Sequence, residues 1–96
     1  MKVGIVSDTH DHLENLAEAI RLLNARGVEL VLHLGDWVAP IVPVFMTKTA
    51  PEPLRCPVKG IFGNNDGDHF LFLQVIAREQ TGVEIRKTIL PLELDG

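Results

Sequence analysis

Lys2-Val3-Gly4-Ile5-Val6-Ser7-Asp8-Thr9-His10 opens the chain with branched apolar side chains and stops on a polar, acidic and histidine-bearing end. Residues 2–7 read as a strand buried on both faces. The period then changes. Leu13, Leu16, Ala17, Ile20 and Leu23 recur at three- and four-residue intervals while Glu14, Glu18, Arg21 and Asn24 fall elsewhere, which predicts an amphipathic helix. Asp11 followed by Glu14 is the expected N-cap and capping box, and Gly27 the expected left-handed residue at the far end. Glu29 to Leu34 repeats the buried-strand pattern. Strand, helix and strand with so long a crossover make a βαβ unit, whose strands run parallel with a right-handed connection.

Further along, Pro40, Pro43, Pro51, Pro53 and Pro57 interrupt any long helix, leaving at most a turn or two at Ile41 to Met46. Val58 to Phe62 reads as a third strand, closed by the turn-forming cluster Gly63-Asn64-Asn65-Asp66-Gly67. A helix from His69 to Gln80 follows, with Phe70, Leu73, Ile76 and Ala77 as its apolar face and Gly82 as its stop. Val83 to Ile85 and Thr88 to Leu94 read as strands, with Asp95-Gly96 as a hairpin signal. A hairpin turn with no returning strand leaves an open edge for another chain or for further sequence.

The 96 residues are 46% apolar and 23% charged, the composition of one globular domain, expected over residues 1–96 and apparently incomplete. A net charge of −4 with scattered acidic residues gives no nucleic-acid patch. The lone Cys56 excludes an intramolecular disulfide and points to a reducing compartment, the cytoplasm. No apolar run approaches the ~20 residues that span a bilayer, so neither secretion nor membrane insertion is expected.

All three early strands end in polar loops: Ser7-Asp8-Thr9-His10, Gly35-Asp36 and Gly63-Asn64-Asn65-Asp66. Parallel strands bring such loops together at their carboxyl ends. Asp8, Asp36 and Asn64 stand 28 positions apart in turn, one strand–connection–strand unit each. Two carboxylates in one crevice repel unless a divalent cation joins them. Asp8, His10, Asp36 and Asn64 are therefore the candidate metal ligands, oxygen and imidazole together suiting manganese, iron, zinc or related ions. Simpler roles stand beside this one. Asp8 and Asp36 could cap turns, His10 could be a surface residue of the helix start, and Asn64 and Asn65 could merely supply positive φ. His33 within a buried strand reads as a core histidine, His12 and His69 as helix-start residues, and Trp37 either shields the crevice or anchors its loop.

These motifs resemble the calcineurin-like metallophosphoesterase superfamily, whose members open with D-x-H, G-D and G-N-H-D/E after successive strands. Here they stand as Asp8-Thr9-His10, Gly35-Asp36 and Gly63-Asn64-Asn65-Asp66. The small bacterial and archaeal phosphodiesterases are the nearest likeness, through the K-x-G-I-x-S-D-T-H start. The resemblance implies an α/β fold, part of an αββα sandwich with a mainly parallel βαβ sheet. It implies a first metal at Asp8, His10 and Asp36 and a second at Asp36 and Asn64, manganese foremost, with nickel, zinc, iron or magnesium as alternatives. It further implies a metal-activated water attacking a small phosphate ester. Two departures stand out. Asn65 replaces the histidine thought to protonate the leaving group, and the later G-H and G-H-x-H motifs are absent. Weak or single-metal binding is therefore expected of these 96 residues. Two other readings follow: a non-catalytic module that binds a partner, with a homo-oligomer closing the open edge, or a truncated inactive form.

Overall fold

The structure is a computed structural model that describes residues 1–10, 12–64 and 66–87. Asp11, Asn65, the expected strand Thr88 to Leu94 and the Asp95-Gly96 turn lie outside the described residues. Four short strands, β1 (Val3–Val6), β2 (Leu30–His33), β3 (Val58–Ile61) and β4 (Glu84–Arg86), form one parallel sheet in the order β1-β2-β3-β4. Between them lie α1 (Leu13–Ala25), a connection containing α2 (Ile41–Val44), and α3 (His69–Arg78). No described helix is long and apolar enough to cross a membrane.

Consecutive parallel neighbours place their crossovers on one face of the sheet. Burial follows that asymmetry. Gly4, Val31, Val58 and Ile85 occupy the helix-facing rows and are buried, whereas the alternate row Ile5, Leu32, Lys59, Glu84 is half-buried or exposed. Ile5 is 65% exposed, so among the described residues β1 is covered on one face, where a strand buried on both was expected. Its branched side chains mark a strand, but the run carries no information about how many layers cover it.

Leu16 and Ile20 of α1 enter the core with Val31, Val42 and Met46, as the spacing indicates. The N-cap of α1 is His12, with no side-chain capping bond; its carbonyl already accepts from the Leu16 N–H at 3.0 Å. The other end closes as expected. Gly27, at φ 67°, donates to Asn24 and Val28 donates to Leu23, the paired bonds of a Schellman ending. Asn24 does more than face solvent: its amide donates to Glu52 and to the Pro53 carbonyl and accepts from the Arg55 N–H, pinning the proline-rich connection. Within that connection α2 runs directly into a π-helical turn over Phe45–Thr49, longer than the turn or two expected. Pro43 sits in the first turn, where its missing N–H costs no helical bond.

Helix α3 turns only part of its expected face inward. Phe72 and Ile76 are buried, while Phe70 is 70% exposed and Leu73 and Ala77 lie outside the core. Seven of its ten residues are apolar (FLFL, VIA), so periodicity does not select a stripe; Phe72 meeting Phe62 edge-on at 5.4 Å does. Gln80, not Gly82, takes the left-handed position that ends α3, at φ 53°.

Candidate metal centre

The loop after β1 lies directly against the loop after β2. Asp8 N–H donates to the Gly35 carbonyl at 3.0 Å and His10 N–H to the Asp36 carbonyl at 3.2 Å, continuing the strand pairing past the sheet. One ligand-capable atom each from Asp8, His10 and Asp36 then lies within 4.8 Å of the other two. Asp8 is exposed, His10 half-buried and Asp36 only 8% exposed, so the trio grades from surface to interior. All three have positive φ: 52° at Asp8, 49° at His10 and 59° at Asp36. Left-handed backbone is uncommon outside glycine and concentrates at functional sites.

Glycine makes the next approach possible. A Cβ on Gly35 would meet the Gly63 backbone nitrogen at 2.7 Å, and a Cβ on Gly63 would strike the Asp36 carboxylate and backbone. The loops after β2 and β3 thus touch through Gly35, Asp36 and Gly63. Asn64, the next residue, is exposed in the turn beyond β3.

Two buried groups hold this arrangement from below. The Gly35 N–H donates to Nδ1 of His33 at 3.1 Å, so Nδ1 is the acceptor and Nε2 carries the proton, which it donates to Thr9 Oγ1 at 2.8 Å. His33 is fully buried and stacked on Trp37 with centroids 3.7 Å apart. Burial pushes its pKa down to about 4 against the opposing pull of Asp66 and Asp36. Trp37 is an anchor rather than a shield: it is fully buried and its indole N–H donates to the Ile61 carbonyl at 3.0 Å.

Asp66, 4% exposed, is the residue whose role the sequence left open. Its Oδ2 accepts from Asp36 N–H at 2.9 Å and Gly63 N–H at 2.7 Å, and its Oδ1 from Val38 N–H at 2.6 Å. An acid three residues past the glycine that follows β3 was the available signal.

A calcineurin-like phosphoesterase superfamily model matches residues 1–93. This chain belongs to that superfamily. Within it, a phosphodiesterase of Methanocaldococcus jannaschii is 46% identical over 68 residues, which are 71% of this chain and 38% of that protein. A solved archaeal phosphodiesterase superposes with a TM-score of 0.75 at 35% identity, over 90% of this chain and 49% of the other. The chain therefore spans less than half the length of either relative. The four-stranded parallel sheet with its helices corresponds to part of the metallophosphoesterase fold.

The donor set fits the divalent cations on which the superfamily generally depends. Two carboxylates within 4.8 Å repel by about 1 to 3 kcal/mol as the effective dielectric constant falls from that of water to about 20. A cation between them reverses that sign, and the imidazole of His10 adds a neutral donor.

Proposed function

We infer that the chain carries the metal-binding part of a phosphodiesterase acting on small phosphate esters. Asp8, His10 and Asp36 hold a divalent cation, and Asp36 with Asn64 contributes to a second. The observation that carries this reading is the convergence of the three donors on left-handed backbone at the ends of β1 and β2. A bound cation supplies Lewis acidity, drawing charge from the phosphate and lowering the pKa of a coordinated water.

The chain's own residues set the terms. Ser7 restrains the Asp8 carboxylate by donating to Oδ2 at 2.8 Å. Asp36 lies where the second and third loops touch, which supports its sharing between two ions. Asn65 cannot donate a proton as an acid, so the reaction depends on esters whose leaving group departs without protonation. Manganese is the first metal to try, then nickel, zinc, iron and magnesium.

The test is hydrolysis of a nitrophenyl phosphodiester by the 96-residue chain with and without Mn²⁺, beside Asp36→Asn. Turnover that needs Mn²⁺ and vanishes in the variant, with circular dichroism unchanged, is the expected result. Equal activity in variant and parent refutes the assignment.

A further inference from the structure

We propose that Asp66 is the positioning residue that assembles the metal centre, by clamping the backbone of Asp36 and joining the loops after β2 and β3. The inference rests on the metal-binding reading above for its consequence, but on geometry alone for the clamp.

Three backbone N–H groups from two loops converge on one buried carboxylate: Asp36, Val38 and Gly63. Two belong to residues in left-handed conformation, Asp36 at φ 59° and Val38 at φ 73°. For valine, β-branched and without a local side-chain bond to offer, that conformation persists only where its surroundings impose it. The Asp66 Oδ1 bond, at 2.6 Å, is the restraint on Val38. Asp66 also closes its own turn, since its N–H donates to the Gly63 carbonyl at 3.3 Å while Gly63 N–H donates to its side chain. The contacts place Asp66 behind Asp36, bonded to its backbone, so its effect on a cation runs through the orientation of Asp36. Asparagine cannot replace it, because one of its two terminal atoms is a donor and would confront an N–H.

The experiment compares parent, Asp66→Asn and Asp66→Glu, each first stripped of metal, by amide hydrogen exchange and by Mn²⁺ titration followed calorimetrically. In Asp66→Asn the amides of Val38 and Gly63 should exchange faster while a cooperative thermal transition is kept. Mn²⁺ affinity should fall about 10- to 100-fold, the usual effect of removing a group that orients a ligand. Asp66→Glu, which keeps both oxygens, should recover part of that loss. Unchanged protection in Asp66→Asn overturns the clamp, and faster exchange with unchanged Mn²⁺ affinity overturns its link to the metal centre. If the parent itself binds no Mn²⁺, the metal-binding reading fails, and exchange alone decides the clamp. Should Asp66→Asn not fold, free exchange of the Asp36, Val38 and Gly63 amides in the metal-free parent overturns the inference.

Discussion

Lowering the pH from 7 to 4 should destabilise this chain through His33 more than through any histidine at its surface. In the folded protein burial holds the His33 pKa at about 4, against 6.5 for the free side chain. Below 6.5 the unfolded chain takes up a proton that the folded chain refuses, so stability is fully present above 6.5 and declines as pH falls toward 4. At about 1.4 kcal/mol per pH unit the whole window is worth about 3 kcal/mol. A chain of this size has about 5 to 14 kcal/mol in all, so the loss is a large fraction of it. Burial penalises the charged ring, and the local geometry works in the same direction, since a second proton would sit on Nδ1, where it would face the Gly35 N–H. Urea denaturation of the parent and of His33→Gln, at pH 7 and pH 4, isolates the effect, because carboxylates away from His33 contribute alike to both proteins and the pull of Asp36 and Asp66 is already contained in the His33 shift. The parent should lose about 3 kcal/mol more than the variant over that interval. Equal losses would refute the neutral state assigned to the buried His33.

Gly63→Ala should destabilise by about 1 to 3 kcal/mol, because the new methyl group overlaps the Asp36 carboxylate and backbone. The lower entropy of the unfolded alanine chain offsets less than about 1 kcal/mol of this, and a thermal midpoint at or above the parent's would contradict the close approach. Gln80→Gly should act oppositely, stabilising by about 0.5 to 1 kcal/mol by relieving the left-handed residue that ends α3. That gain is a rise of a few degrees in thermal midpoint for a chain of this length, and a lower midpoint would show that residue 80 carries no strain.

What the sequence made legible was what depends on period and order. The alternation between branched runs and the Leu16–Ile20 stripe located β1, α1 and β2 to within two residues, and their parallel pairing followed from the length of the crossover. The equal 28-residue steps between Asp8, Asp36 and Asn64 marked equivalent strand ends, and the structure places Asp8 and Asp36 at two of them, one against the other. What stayed hidden depends on three-dimensional asymmetry. Ile5 is exposed because helices cover one face of the sheet, and a short apolar run reads alike whether one face or two are covered. The inward face of α3 is legible only at Ile76, because the helix is apolar on nearly every side and the contact of Phe72 with Phe62 decides the rotation. Asn24 looked like a solvent-facing polar residue; that its amide grips a loop some thirty residues away is a long-range fact no local pattern carries.

The backbone itself ties these points to the chemistry. Asp8, His10, Asp36 and Val38 all take left-handed conformations within two adjoining loops, at a cost of about 1 to 3 kcal/mol each when unsupported. Summed, that approaches the stability of the whole domain, so the conformations must be offset where they occur. The offsets are the paired bonds from Asp8 and His10 to the second loop, the acceptor Nδ1 of His33 beneath Gly35, and the three N–H groups gathered by Asp66. Each of these supports is a bond made by the backbone to a buried or paired partner, so the backbone that carries the ligand-capable side chains is set by the ends of β1, β2 and β3. A cation arriving at Asp8, His10 and Asp36 would therefore find donors already gathered by the ends of the sheet.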